Sequence, residues 1–352
     1  MKKILCATAM LTILLTINVT AQDSKYVFDF IKNNPDRVAI KLVRNGEVLA
    51  AINPEKMMTL ASTMKIIVAI EYAEQVAAGK IDPDEMIMLQ EVDKYYLANT
   101  DGAAHPMWKA AITKDTKDER ISIREIAKGM IKYSSNANTE WLLDKLGLEN
   151  VNQRIEKLGV KNHEKINYLV SALLVGRHRF PDKKEEVLKI AIEDLSDEAY
   201  AKIITDIHNG LKSGTIPNND IGDLSIPVQR VWSDRLPAST VAEYADIMQK
   251  INSRTYFSEK THFYLDEVME YILENPANRN WLDHAGMKGG STAFVLTKAL
   301  YATKKSGEKI ELAYFLEDIK PAEYTNLMYG MNDFELKILI NPEFRDKIRD
   351  EL

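Results

Sequence analysis

The sequence predicts an α+β fold. An antiparallel five-stranded sheet with flanking helices is assembled from both ends of the chain, and an all-helical subdomain is inserted between them. Three observations carry this reading. A strand–turn–strand pattern stands near the start, apolar residues recur at helical spacing through the middle, and three further strand patterns stand near the end.

Lys2 and Lys3 precede an uncharged apolar run from Ile4 to Val19, which closes on the small-residue ending Val19-Thr20-Ala21. The pattern predicts a signal peptide over residues 1–21 and an exported protein, periplasmic or extracellular, starting near Gln22. The run is shorter than the ~20 apolar residues of a spanning helix, so no membrane anchor is expected after its removal. Cys6, the only cysteine, lies inside that run. The mature chain is then left to a packed core for its stability, with no disulfide to help. Removing two lysines takes the net charge from −6 to −8, with both signs interspersed, which argues against nucleic acid or an anionic membrane as partner.

A helix is expected over residues 26–33, followed by a hairpin whose strands, 37–43 and 47–51, meet at Asn45-Gly46. From Ser62 to about Trp281 the spacing is helical, as in Ile66/Ala69/Ile70/Ala73 and Ile123/Ile126/Met130. Strands are expected over 284–288, 292–301 and 310–316, with Lys304-Lys305-Ser306-Gly307 as a turn and a helical pattern to Leu352. These boundaries give an α/β subdomain of residues 22–58 and 284–352 and a helical subdomain of residues 59–283. The seam between them is a natural place for a site.

Ser62-Thr63-Met64-Lys65 opens a long helical pattern. Residues three apart share a helix face, and a lysine whose proton affinity is lowered by burial or by other cations can take the proton from a serine beside it. The bland alternative is a helix cap and a surface lysine; Ser306-Gly307-Glu308-Lys309 has the same spacing in a turn. Tyr133-Ser134-Ser135-Asn136 separates two helical patterns, where a hydroxyl and an amide can face a cleft or merely cap a helix. In Lys288-Gly289-Gly290-Ser291 the glycines would let a substrate lie against a strand edge, and a backbone N–H near Ser291 could face a developing oxyanion; the alternative is a β-bulge.

Together these elements resemble, in order, the S-x-x-K, S-D-N and K-T-G signatures of the class A β-lactamases and related penicillin-binding enzymes. The stretch ISIREIAKGMIKYSSNANTEWLLDKLG strengthens the resemblance, which covers about residues 37–159 and 236–352. Lys212-Ser213-Gly214 and Lys305-Ser306-Gly307 match K-T-G better by letter but stand at a helix end and in a turn. The resemblance implies a β-lactamase/transpeptidase-like fold. It also implies Ser62 as acylated nucleophile, Lys65 as proton acceptor, Ser134 as proton donor to the leaving group and Lys288 as a charge beside Ser134. Asn136 would hold a substrate amide, Gly290 and Ser291 would line the substrate, and the N–H groups of Ser62 and Ser291 would form the oxyanion hole.

Three departures follow from the same comparison. Ser135 replaces the usual acid. Gly289 replaces a hydroxyl residue that helps bind a substrate carboxylate, a task left to Ser291 or Thr292. Where a deacylating glutamate is expected, the chain reads Tyr168-Leu169-Val170-Ser171-Ala172; Glu164, Asp220 and Asp223 are the acids that a folded-back segment could supply. Residues 161–235 form a longer insertion than the family's loop, with a helix over 198–211. His105, Trp108, Tyr95 and Tyr96 are placed to line the site or to pack behind it. None of the six histidines has metal-ligand spacing, so no metal and no cofactor is expected. A small-molecule or peptide acyl substrate is the expected partner. Three readings stay open: a β-lactamase-like hydrolase, a peptidase or amidase acting on cell-wall peptide, and a binding protein without turnover.

Overall fold

A computed structural model describes residues 23–112 and 119–352; the expected signal segment lies outside the described residues. In chain order the strands are β1 (Val38–Arg44), β2 (Glu47–Ile52), β3 (Met58–Thr59), β4 (Met86–Met88), β5 (Arg120–Ser122), β6 (Ala238–Ser239), β7 (Leu282–Ser291), β8 (Leu296–Lys304) and β9 (Lys309–Leu316). Five of them form one antiparallel sheet in the order β2-β1-β9-β8-β7. The hairpin turn uses Asn45 and Gly46, both at positive φ, as its two-residue connection requires. The first and last parts of the chain meet at the sheet's centre, where Val38 stands opposite Leu316 and Arg44 opposite Ile310.

Both faces of the sheet are buried, and the two-residue period of the strands divides them. Val38, Ile40, Leu42, Ile310, Leu312, Tyr314 and Leu316 face one core with Val27, Phe28, Phe334 and Ile338 of the Asp23–Asn33 and Pro321–Ile340 helices. The alternating Ala39, Ala299, Ala313 and Phe315 face a second core that runs through the helices between β2 and β7. Small side chains on that face let helices lie close to the sheet. Among them is Val241–Ser253, whose Asn252 amide donates to the buried Glu311 at 2.5 Å.

The predicted helical stretch is interrupted by two short ladders, β3 with β6 and β4 with β5. Strands of two or three residues are too short to impose a period on the sequence. The third motif was expected just after a strand but lies inside one, because β7 continues through Lys288, Gly289 and Gly290 to Ser291. Conversely, residues 292–295, expected in the next strand, make the β7–β8 connection, in which Phe294 N–H donates to Thr292 Oγ1 at 3.1 Å. The C-terminal helical pattern divides at Pro342 into Pro321–Ile340 and Pro342–Glu351. The insertion carries the expected helix as Asp197–Ser213, with shorter helices around it. Among the described residues no helix is long and apolar enough to cross a membrane.

Candidate active site

Ser62 sits in a 3₁₀ turn, Ala61–Met64, that runs directly into the helix Lys65–Ala77. Ala61, just before it, takes a left-handed φ of 46°. Two threonines hold the turn against the sheet: Thr63 Oγ1 lies 2.7 Å from Thr297 Oγ1, and Thr297 donates to Leu60 O at 2.8 Å. Gly290 approaches from β7. A Cβ there would stand 2.6 Å from Ser62 N and 2.5 Å from Leu60 O, so the strand can pass this close only without a side chain. At Gly289 the nearest atom to such a Cβ, on Lys298, is 3.4 Å away, so that position has room.

Lys65 is fully buried, and its ammonium donates to Ser134 O at 2.8 Å, Asn136 Oδ1 at 2.8 Å and Ser134 Oγ at 3.3 Å. Lys288, on the β7 face that looks toward the helices, donates to Ser134 Oγ at 2.9 Å and Gly289 O at 2.5 Å. Ser134 is held at a φ of +66°, a strained conformation for serine, which brings its carbonyl and hydroxyl to the same ammonium. A hydroxyl that accepts from two lysines keeps its own proton to give away. Burial is the main force on both lysines, because the charged form is costly away from water. It takes Lys65 down to about 7, against the opposing charge of Asp101. Lys288 is pushed well below the ordinary lysine range by burial, with the charges of Lys65 and Lys298 adding to it.

The structure thus brings Ser62, Lys65, Ser134, Asn136, Lys288 and Gly290 into one corner between sheet and helices. Ser291 ends β7 beside them, half-buried. Thr292 is already engaged, its hydroxyl 2.8 Å from that of Ser233. Lys212 pairs with Asp144 on the surface, and Lys305 stands in the turn before β9, both away from the second motif. Asp266, Glu270 and His284 could approach a cation, their ligand atoms lying within 4.8 Å of one another. However, Arg254 already takes both oxygens of Asp266 at 2.6 Å, and His284 Nδ1 lies 3.0 Å from Glu270.

A sequence profile described as "Beta-lactamase enzyme family" matches residues 23–272. The chain belongs to the beta-lactamase enzyme family. It is therefore a hydrolase of the serine β-lactamase kind. Among solved structures, a class A β-lactamase from Bacteroides cellulosilyticus DSM 14838 superposes with a TM-score of 0.54 at 16% identity, covering 90% of this chain and 98% of that one. A β-lactamase from Sphaerobacter thermophilus DSM 20745 gives 0.53 at 17% identity, covering 91% and 99%. The acyl-enzyme complex of the L158E mutant of PBP-A with penicillin G gives 0.50 at 14%, covering 89% and 96%. At such identities the likeness shows the fold alone. No curated protein matches the chain.

Behind the second motif of this β-lactamase-family chain stands a group of polar and aromatic side chains. Ser135, in place of the usual acid, is buried and caps the Asn136–Leu146 helix, accepting from Asn138 N at 3.2 Å. His105 Nδ1 lies 3.0 Å from its hydroxyl, and His105 Nε2 lies 2.8 Å from Asp93. The row Asp93–His105–Ser135 looks like a charge relay, but His105 and Ser135 are fully buried, so it braces the second motif from behind. Tyr96 stacks on His105, Trp108 lies tilted against the same ring, and Tyr95 stacks on His208, so each of these aromatics packs against a histidine.

In the helix Leu169–Leu173, where a glutamate is absent, a carboxylate arrives from elsewhere. Glu140, one turn beyond Asn136, accepts from Val170 N at 2.9 Å, Ser171 N at 3.2 Å, Ser171 Oγ at 2.5 Å and His208 Nδ1 at 3.2 Å. His208 of the insertion is sandwiched between Tyr168 and Tyr95. The three acids considered from sequence have structural partners: Glu164 accepts from Ala238 N, Asp220 pairs with Arg177, and Asp223 accepts from Glu185 N and Ser225 N.

Proposed function

We propose that the protein is an exported serine hydrolase that forms an acyl-enzyme at Ser62 and opens β-lactam or related amide bonds. The observation that carries this is the placement of Ser134 Oγ, 3.3 Å from one buried lysine and 2.9 Å from another. Lys65 in its neutral form takes the Ser62 proton as the hydroxyl attacks the carbonyl, and Ser134 passes its own proton to the leaving nitrogen. Asn136 holds a substrate amide, and the N–H groups of Ser62 and Ser291 receive the oxyanion across the passage that Gly290 leaves open. Lys288 beside Ser134 draws the substrate's anionic end. Export rests on the residue pattern of positions 1–21.

A second reading, a peptidase or amidase on cell-wall peptide, is favoured by Tyr168–Ala172, which offers no carboxylate to a hydrolytic water. On either reading the acyl-enzyme forms readily and decays slowly, since loss of a positioned base costs about 10²–10⁴ in rate. The L158E mutant of PBP-A, one of the similar structures, is described as an acyl-enzyme complex with penicillin G. The test is intact-protein mass spectrometry after incubation with a β-lactam panel. A lasting adduct that vanishes in Ser62→Ala is expected; no adduct in the unchanged chain, or one that persists in Ser62→Ala, overturns the reading.

A further inference from the structure

Asp101 is a buried carboxylate that no motif accounts for. It stands in a tight segment where Asn99, Gly102 and Ala103 all take positive φ, a concentration of strain that the surrounding packing must hold in place. It is 8% exposed, Oδ2 accepts from His105 N at 3.0 Å, and Oδ1 is buried without a hydrogen-bond partner. A carboxylate left this way is costly unless a charge nearby compensates it. The amino end of the Asn136–Leu146 helix, with the Asn136 N–H, points at this carboxyl group, while the Asn136 side chain reaches Lys65 Nζ at 2.8 Å. Asp101 and Lys65 therefore stand on either side of one residue, and each feels the other's charge.

We propose that Asp101 is the positioning counter-charge of Lys65, stabilising the ammonium that forms when Lys65 takes the Ser62 proton. The proposal rests on the acyl-enzyme reading above. In that step the Ser62 O–H bond breaks, the proton goes to the Lys65 lone pair, and the serine oxygen attacks; the cation so made would lie in a dry corner with Lys288 as its other charged neighbour. The groups facing Lys65 are Ser134, Asn136, Lys288 and Asp101, and those facing Asp101 are Lys65, His105, Tyr96 and the Asn136 N–H. Among the described residues no carboxylate accepts a hydrogen bond from Lys65, so the balancing negative charge acts through space. Removing it lowers the lysine's affinity for a proton in the ground state and makes the lysine a weaker acceptor during acylation.

The test is the pH profile of the acylation rate with a chromogenic β-lactam, followed in the full chain and in Asp101→Asn. The expected result is a plateau at least about tenfold lower, the size of a fixed-charge contribution, together with an acid limb moved to lower pH. A profile scaled down with its limb unmoved is what packing damage gives and overturns the proposal. The reciprocal measurement covers a variant that does not fold: by carbon-13 NMR of labelled aspartate, the Asp101 carboxyl of Lys65→Met should titrate at higher pH than in the unchanged chain. An unmoved titration overturns the proposal. Absence of any Ser62 adduct in the unchanged chain instead sinks the acyl-enzyme reading beneath it.

Discussion

One helix, Asn136–Leu146, serves two polar regions that differ in how fully they are satisfied. At its first residue, Asn136 joins a corner where two buried lysines share one serine hydroxyl and are held below their ordinary proton affinity. One turn later, Glu140 meets four donors and locks the Leu169–Leu173 helix to the inserted Asp197–Ser213 helix. A group whose lone pairs are all taken contributes order, whereas one that is buried and only partly matched is ready to exchange a proton. The carboxylate near the loop is thus a clamp by its contacts, and on the proposed function the reactive groups are the lysines.

The largest effects should fall in the first region. Ser62→Ala is expected to abolish acylation, and Lys65→Ala and Lys288→Ala to slow it by at least about a hundredfold. Lys212→Ala and Lys305→Ala should leave it unchanged, so stopped-flow rates for the four lysine variants show whether the corner is as localised as described. Next comes a pair of neighbouring glycines. Gly290→Ala forces a Cβ against the Ser62 and Leu60 backbone and should cost activity and melting temperature together, while Gly289→Ser, with 3.4 Å of clearance, should keep both. Equal effects would mean that β7 and the serine turn are not so tightly fitted.

In the second region the expected changes are in stability. Glu140→Gln removes the charge that four donors address and should cost about 3 kcal/mol, as breaking a buried ionic contact does. Hydrogen exchange should quicken in residues 168–173, with the acylation rate altered only a few-fold. The smallest effect belongs to His208. Burial lowers its proton affinity, but Asp144 and Glu140 outweigh this and raise it above the ordinary value. Its contribution is therefore complete below the unfolded value of about 6.5 and fades as pH rises through the higher folded one. Denaturant unfolding of His208→Gln should show a deficit that is larger in mild acid than in mild alkali; a deficit independent of pH would reduce the histidine to a stacking partner.

Much of this was legible along the chain. The hairpin announced itself through alternation and Asn45-Gly46, and the three motifs through spacing within helix and strand patterns. Thr297, Asp101 and Glu140 were not legible, because what marks them lies across long stretches of sequence: Thr297 touches Thr63, Glu140 touches Ser171 and His208, and Asp101 acts on Lys65 through its charge. A lone threonine or acid has no period. The course of β7 departs from the expected strand for a local reason, since two glycines in a row suggest the end of a strand, whereas here they let it pass beside the serine turn. The short ladders β3–β6 and β4–β5 lie below any window in which a period can be measured.

The order of the sheet also sets a timetable. β9 is its middle strand, and Val38 waits for Leu316 across nearly the whole chain. During synthesis the hairpin β1–β2 emerges early with the edge of β1 unpaired, and closing so long a loop is slow compared with local helix formation. The helices that carry Ser62, Lys65 and Asn136 can form long before the strand bearing Lys288 has neighbours to hold it. Reactivity at the serine should therefore appear only with the last strands, and a nascent chain stalled before β9 should present an open strand edge and an inert hydroxyl.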